Sequence, residues 1–123
     1  MVRKKEFRLS EQKICSIAKA LTKVTNDDPK DLWLGGTQSP LSKKYPKERS
    51  DVDFFIFQKD FDPYKEYDWK KYASKTVKIA DKKQPLEKKL GRKIDYTYLP
   101  EIIKGELEDL VKVSILKCKI PKS

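Results

Sequence analysis

The first part of the chain carries apolar residues at helical spacing. They recur every three or four positions and form one stripe, made of Ile14, Ile17, Ala18, Leu21 and Val24. Ser10 precedes the stripe and can cap a helix, and the polar run 25–29, which ends in Pro29, stops it. The pattern therefore predicts a helix from Ser10 to about Val24.

Three short apolar runs predict strands. The first, 31–34, breaks at a glycine pair, and a short helical turn and an exposed loop are expected over 37–50. In the second, 51–57, odd positions share one face and even positions the other, and both faces hold apolar residues, so we expect burial on both sides. The third, 92–99, alternates with Ile94, Tyr96 and Tyr98 on one face and Lys93, Asp95 and Thr97 on the other.

The remaining segments predict further helices. Asp62 and Pro63 open one, and 75–80 fits either its tail or a strand. Pro85 and Gly91 mark the start and end of a short separate helix, and Pro100 begins another through about Leu107. The last apolar positions complete the core: Leu110, Val111, Val113, Ile115 and Leu116.

These elements predict an α/β fold of the α+β kind. At 123 residues the chain has room for one domain, 1–123. We expect a small mixed β-sheet of three to five strands, with the helices packed mainly on one face.

Charge and composition narrow the possible partners. Lys and Arg total 29 against 19 acidic residues, which gives a net charge of +10. This surplus favours nucleic acid, nucleotides or an acidic protein as the partner. Lysines spread evenly along the chain are, however, also typical of a surface that only keeps a protein soluble. Cys15 and Cys118 are interpreted as reduced core thiols, and the lack of an apolar leader or membrane-length stretch predicts a cytoplasmic protein. The chain contains no histidine, which excludes His-based catalysis and leaves carboxylates for metal chemistry.

Three aspartates and a glycine turn are the candidate site. Asp51 and Asp53 lie on one face of the second strand, and Asp95 would join them if the third strand lies alongside. Three such acids suit two Mg²⁺ ions, which prefer oxygen ligands. Gly35, Gly36 and Thr37 can present backbone N–H groups and a hydroxyl to a phosphate. Taken singly, each feature has a plain alternative, as a turn, a cap or a salt-bridge partner.

The three motifs together resemble the DNA polymerase β-type nucleotidyltransferase superfamily. They are Leu34-Gly35-Gly36-Thr37, Ser50-Asp51-Val52-Asp53-Phe54 and Leu90-Gly91-Arg92-Lys93-Ile94-Asp95. The chain's size is similar to that of minimal nucleotidyltransferase domains. The resemblance implies that Gly36 and Thr37 bind the β- and γ-phosphates, that Asp51 and Asp53 hold both metal ions, and that Asp95 holds the catalytic metal and helps deprotonate the acceptor.

The chain departs in three ways from the pattern of the family that it resembles. Thr37 stands where the family usually has Ser. Thr37 and Asp51 are 14 residues apart, which is longer than usual. Gln38-Ser39-Pro40 replaces a segment that often carries Arg. Lys43, Lys44 or Arg49 could replace that charge, and the basic stretch 43–47 is either a substrate loop or an insertion.

The resemblance implies an activity, the Mg²⁺-dependent transfer of a nucleoside monophosphate. ATP is the expected donor. The resemblance implies a protein acceptor, such as the toxin partner of an antitoxin, and RNA is the other expected acceptor; a cationic drug suits a basic chain less well. Two alternatives stay open. One is a catalytically inactive module of the same fold that binds nucleic acid or a partner protein, and the other is a plain nucleic-acid-binding domain with structural acids.

Overall fold

A computed structural model describes residues 8–43, 46 and 50–115, including the two main helices and four strands. Helix α1 spans Glu11–Thr25 and helix α2 spans Glu66–Leu90. The strands are β1 Leu32–Gly35, β2 Val52–Gln58, β3 Ile94–Pro100 and β4 Val111–Lys112. Short 3-10 helices cover Pro29–Asp31, Gly36–Gln38, Glu101–Glu106 and Val113–Ile115.

The four strands form one mixed sheet in the order β3-β2-β1-β4. β1 runs antiparallel to both of its neighbours, whereas β2 and β3 are parallel. Parallel neighbours need a long connection to return the chain to the same end of the sheet, and α2 provides it. The predicted mixed sheet of an α+β fold is confirmed.

The hydrophobic core lies between the two helices and one face of the sheet. The alternate residues of β2 that face the helices are almost fully buried: Val52, Phe54 and Ile56. The opposite residues Asp53, Phe55 and Phe57 are only half-buried, so the prediction that this strand is buried on both sides is wrong. The reason is that α1 and α2 pack on the same side of the sheet, which leaves the aspartate face partly open.

Helix α1 follows its predicted pattern with one exception. The Ser10 side chain accepts a hydrogen bond from the backbone N–H of Lys13 at 3.2 Å, which confirms the cap. Four residues of the stripe are buried: Ile14, Ile17, Ala18 and Leu21. Val24 is 47% exposed, because it lies near the helix end and points away from the core. Its placement in the stripe was wrong.

Helix α2 differs most from the prediction. It is a continuous helix of 25 residues that begins at Glu66, passes through Pro85 and ends at Gly91, which has φ of 67°. The separate helix predicted from Pro85 is therefore wrong, and 75–80 is helical. Pro85 is exposed, so the backbone carbonyl that loses its partner can turn toward water.

The C-terminal part contains further differences. The helix predicted from Pro100 to Leu107 is a 3-10 helix over Glu101–Glu106, and Pro100 ends β3. Val111 and Val113 are buried as predicted and Leu110 is half-buried, while the Ile115 side chain and Leu116 lie outside the described residues.

Cys15 is disulfide-bonded, so its interpretation as a reduced thiol was wrong. Separation along the chain does not prevent such a bond, because folding can bring distant residues together. Cys118 lies outside the described residues.

Candidate metal and phosphate site

The three predicted aspartates converge at one end of the parallel strand pair. Asp53 and Asp95 are direct partners in the β2–β3 register, and Asp51 stands just before β2. One carboxylate oxygen from each residue lies within 4.8 Å of the others. Such a cluster of oxygens is of the size that one or two divalent cations require. The structure thus brings together all three acids that the sequence singled out.

The Asp53 carboxyl has the most perturbed environment of the three. Its pKa is raised from 3.8 to about 6, first because burial disfavours its charged form. A side-chain hydrogen bond with Asp95 and the negative charges of Asp95 and Asp51 raise the pKa further. Among the residues that the structure describes, no cationic side chain is a cause of this shift. A bound divalent cation would supply the missing positive charge.

Gly36 fits the site sterically because it lacks a side chain. It has φ of 68°, a conformation that glycine adopts readily, and a Cβ placed on it would lie 2.5 Å from Asp53 Oδ2. The backbone of the turn therefore passes directly against the acid cluster. This contact joins the predicted glycine motif to the predicted aspartate motif in space.

The other two residues of the predicted phosphate-binding turn have different surroundings. Thr37 lines, together with Gly36, a hollow of about 740 Å³ whose other residues are Ser42, Lys43, Glu108 and Asp109. Gly35 is buried, and a Cβ there would lie 2.9 Å from the ring of Phe55 and 3.2 Å from Leu110. Gly35 thus allows close packing of Phe55, while Gly36 and Thr37 are the residues that border open space.

The segment that departs from the family pattern anchors the turn. Gln38 Oε1 accepts a hydrogen bond from the Leu9 N–H at 2.8 Å, and Ser39 Oγ donates to the Asp109 carbonyl at 2.5 Å. Gln38 and Ser39 are 1% and 0% exposed. These bonds tie the turn to the segment before α1 and to the segment before β4. Sequence reasoning noticed the unusual residues but missed this role, for which their polarity alone was no signal.

Arg8 is a second residue that sequence reasoning missed. Its guanidinium donates to the carbonyls of Thr37 at 3.2 Å and Ser42 at 3.3 Å, so it holds the same loop. Of the three basic residues considered as replacements for the family's Arg, only Lys43 is described. It is exposed and lines the hollow beside Thr37, while Lys44 and Arg49 lie outside the described residues.

Two residues of α2 hold the start of β3 and thereby position Asp95. Glu87 Oε2 accepts from the Ile94 N–H at 2.8 Å, and Lys83 Nζ donates to the Ile94 carbonyl at 2.6 Å. Both backbone groups of the residue before Asp95 are therefore fixed by side chains. This pairing was not predictable, because it depends on the continuous course of α2 past Pro85.

Comparisons of the chain with protein-family models, with curated proteins and with solved structures find no match. In the described part of the chain, neither main helix combines the length and apolarity that crossing a membrane requires.

Proposed function

We propose that this protein is a Mg²⁺-dependent nucleotidyltransferase that moves a nucleoside monophosphate from a nucleoside triphosphate, with ATP as the expected donor, to a hydroxyl group of a protein or RNA. The observation that carries the proposal is the contact of Gly36 with Asp53 in a cluster that also holds Asp51 and Asp95. The hollow lined by Gly36 and Thr37 thus borders the acid cluster through this contact.

The residues fit Mg²⁺ by their chemistry. Asp51, Asp53 and Asp95 offer hard oxygen ligands, and the pKa of Asp53 is raised first by burial and then by the hydrogen bond and charge of Asp95 and the charge of Asp51. A bound Mg²⁺ would neutralise charge on the triphosphate and polarise the α-phosphate. The three aspartates are the residues that would hold it.

The side chains and backbone around the acids have separate tasks in the proposed reaction. Gly36 and Thr37 orient the triphosphate through the backbone of the turn and the Thr37 hydroxyl. The acceptor oxygen forms a bond to the α-phosphorus as the bond from that phosphorus to the bridging oxygen breaks, and pyrophosphate leaves. The Asp95 carboxylate accepts the hydroxyl proton. Lys43, which borders the same hollow, adds positive charge near the leaving group.

Two acceptor classes remain within the proposal. The net charge of +10 supports RNA, whose phosphates it would attract. A partner protein such as a toxin is supported only by the resemblance to minimal nucleotidyltransferases.

A cytoplasmic location fits the need for ATP, whereas a disulfide at Cys15 is more typical of oxidising compartments.

The catalytically inactive module is the second candidate function. It is favoured by Glu108 and Asp109, because these acids line the hollow in which the triphosphate would lie and would repel it. In that case the acid cluster would be structural and nucleotides would not bind.

The test uses each nucleoside triphosphate labelled at the α-phosphate, with Mg²⁺ and an extract of the native host. Asp53→Asn is the test variant, and Asp31→Asn, which changes the same charge at an exposed site outside the acid cluster, is the matched control. We expect label on a protein or RNA band with the wild type and the control, and a loss of at least a hundredfold with Asp53→Asn. Equal labelling by Asp53→Asn would refute the proposal.

A second measurement separates the two candidate functions. Thermal unfolding is followed with Mg²⁺ and a non-hydrolysable ATP analogue. A rise in the melting temperature of the wild type that Asp53→Asn lacks supports the enzyme. The absence of any such rise, together with no transfer, supports the inactive module.

A further inference from the structure

A second hollow borders the acid cluster on the side away from the glycine turn. It has a volume of about 540 Å³, and Asp51 is one of the residues that line it. In the sheet order β3-β2-β1-β4, Gly36 follows β1 on one side of β2. The second hollow lies on the other side of β2, where α2 leads into β3. The aspartates at the start of β2 therefore stand between the two hollows.

Three basic residues line this second hollow, which we call the basic hollow: Lys88, Arg92 and Lys93. Lys88 lies in the last turn of α2, where a cation also stabilises the helix itself. Arg92 and Lys93 lie beyond the helix end at Gly91, so helix stabilisation does not account for them. Lys88 and Lys93 are exposed, and neither forms an ion pair with any residue that the structure describes. Their positive charge is therefore open to a ligand.

Lys93 stands closest to the acids along the strands. Its carbonyl accepts a hydrogen bond from the Val52 N–H at 2.9 Å, which sets it beside the start of β2. Asp95 lies two positions further along, so alternation puts Lys93 on the same face of the sheet as that acid. Asp51 and Lys93 both line the basic hollow, in agreement with this placement. Lys93 thus adds positive charge at the rim of the acid cluster.

Two acids share the basic hollow with these cations. Glu87 is half-buried, and its Oε2 accepts a hydrogen bond from the Ile94 N–H at 2.8 Å, so it is held against the strand. Asp51 belongs to the cluster that would bind Mg²⁺. With that metal in place, the basic side chains dominate the field that an entering ligand meets.

The direction of the proposed transfer indicates which ligand enters here. In an in-line displacement, the attacking and leaving oxygens lie on opposite sides of the phosphorus. Pyrophosphate leaves toward the turn at Gly36 and Thr37, so the acceptor hydroxyl approaches from the side of β3. An acceptor that passes three cations is favoured when it carries negative charge next to its hydroxyl. A polynucleotide has such charge at every backbone phosphate, whereas a hydroxyl side chain of a protein has none of its own.

We propose that the basic hollow binds backbone phosphates at the end of a single-stranded RNA and presents its terminal hydroxyl to the acid cluster. This inference rests on the proposed nucleotidyl transfer and selects RNA over a protein as the acceptor. The terminal oxygen bonds to the α-phosphorus, its proton passes to Asp95, and pyrophosphate leaves as the bond to the bridging oxygen breaks. An unpaired end suits the site because a single strand can bend into a hollow.

The first experiment measures binding by fluorescence anisotropy, with Mg²⁺ and without nucleotide, so that no transfer takes place. The probe is octauridine with fluorescein at its 5′ end and a free 3′ hydroxyl. Lys88→Gln/Lys93→Gln should weaken binding at least tenfold at about 0.1 M salt, and the slope of log K against log salt should fall by about 1.4, since two phosphate contacts are lost. Arg92 stays unchanged, because it also donates to the Ser50 carbonyl at 3.4 Å.

Two further variants control for net charge and for the shape of the side chains. Lys19→Gln/Lys23→Gln removes the same charge from exposed lysines of α1, at a hollow that contains none of the three aspartates. It should change the affinity by less than about threefold, because distant charges are screened. Lys88→Arg/Lys93→Arg keeps the charge and should retain the wild-type affinity. Equal loss of affinity in the two glutamine variants, or no binding of octauridine by the wild type, would overturn the inference.

The second experiment follows transfer of label from α-labelled ATP to octauridine. The wild type should label the RNA. Lys88→Gln/Lys93→Gln should raise the KM for octauridine at least tenfold and leave the KM for ATP unchanged, because the two lysines line only the acceptor side.

The outcomes separate this inference from the proposed function. Label on a protein band of the host extract, equal for the wild type and Lys88→Gln/Lys93→Gln and absent from RNA, would overturn the inference while the proposed function stands. Octauridine binding that depends on the two lysines, without transfer from any triphosphate, would refute the proposed function and with it the acceptor role of the bound RNA.

Discussion

Gly36 combines two requirements that no other amino acid meets at that position. Its φ of 68° is strained for any residue with a side chain, and Asp53 Oδ2 would lie 2.5 Å from an added Cβ. Gly91 offers a matched comparison, because its φ of 67° is nearly the same and no atom of the described residues lies within 4 Å of its added Cβ. The two glycines therefore separate backbone strain from contact with the acid cluster.

We predict that Gly36→Ala and Gly91→Ala each lower the free energy of unfolding by about 1–2 kcal/mol through the left-handed conformation. Gly36→Ala should lose more, because Asp53 must also move. Only Gly36→Ala should abolish the Mg²⁺-dependent rise in melting temperature. Denaturant unfolding and thermal unfolding with and without Mg²⁺ measure both effects. Equal losses of stability in the two variants would show that the contact with Asp53 costs nothing.

The Asp53 carboxyl leads to a prediction on pH. Its pKa is 3.8 in the unfolded chain and about 6 in the folded protein, so between these values the folded state binds more protons. The contribution of Asp53 to the free energy of unfolding should therefore fall as pH rises from about 4 to about 6 without metal. Denaturant unfolding of the wild type and of Asp53→Asn at several pH values, in a chelator, gives this contribution as a difference.

In that comparison Asp53→Asn should be the more stable protein above pH 6, and the difference should shrink toward pH 4. Saturating Mg²⁺ should remove the wild type's disadvantage, since a cation favours the charged carboxylates. A difference between the two proteins that does not change with pH would contradict the assigned cause.

For single residues, the sequence predicted the three aspartates of the site. It did not predict most of the contacts that hold the neighbouring turn in place. Asp51, Asp53 and Asp95 follow from alternation along strands, which depends only on neighbouring residues. The anchoring of the turn by Arg8, Gln38 and Ser39 depends on contacts with residues 29 to 70 positions away. Neither propensity nor periodicity specifies such contacts.

Among the elements, α2 shows how tertiary packing overrides a local signal. The local sequence predicts a helix start at Pro85 and a separate segment before it. Ile79 and Tyr72 anchor the middle of α2 in the core, and Leu86 and Leu90 pack against the core beyond the proline. Burial on both sides of Pro85 therefore favours a continuous helix despite one missing hydrogen bond.

Replacing Pro85 by alanine should stabilise the protein. The change restores the bond to the Asp81 carbonyl and removes the clash of the ring, and we expect a gain of about 1–3 kcal/mol in the free energy of unfolding. Gln84→Ala, at the neighbouring exposed position, is the control and should change stability by less than about 0.5 kcal/mol. Denaturant unfolding measures both. A loss of stability in Pro85→Ala would mean that the proline stabilises the observed course of α2.

The ends of α1 and β3 show a second contact that the pattern of apolar residues did not reveal. Asp27 Oδ2 accepts hydrogen bonds from the hydroxyls of Tyr96 at 2.8 Å and Tyr98 at 2.6 Å. Burial and this carboxylate raise the pKa of both tyrosines. The face of β3 was predicted correctly, but a polar partner for its buried tyrosines requires the fold itself.

For the whole molecule, the surplus of positive charge opposes folding. The chain carries +10, and the ion pair between Lys70 and Glu66 at 3.4 Å is largely exposed, so it contributes little. We predict that raising sodium chloride from about 0.02 M to 0.2 M increases the melting temperature, because screening weakens repulsion among the lysines. The double variant Lys78→Glu/Lys82→Glu should respond less. A melting temperature that is independent of salt would contradict this prediction.

The parallel pairing of β2 with β3 has a consequence for how the molecule acquires its acid cluster. Asp53 and Asp95 are partners in this pair although 42 residues separate them along the chain. Closing so long a loop is entropically costly until the strands register, and contacts of high sequence separation slow folding. A chain emerging from the ribosome has no such cluster until Asp95 has left the exit tunnel and α2 has brought β3 alongside β2. Binding of a cation by the three acids, as proposed above, would therefore require β2 and β3 to be paired, and its appearance in time would report a long-range step of folding.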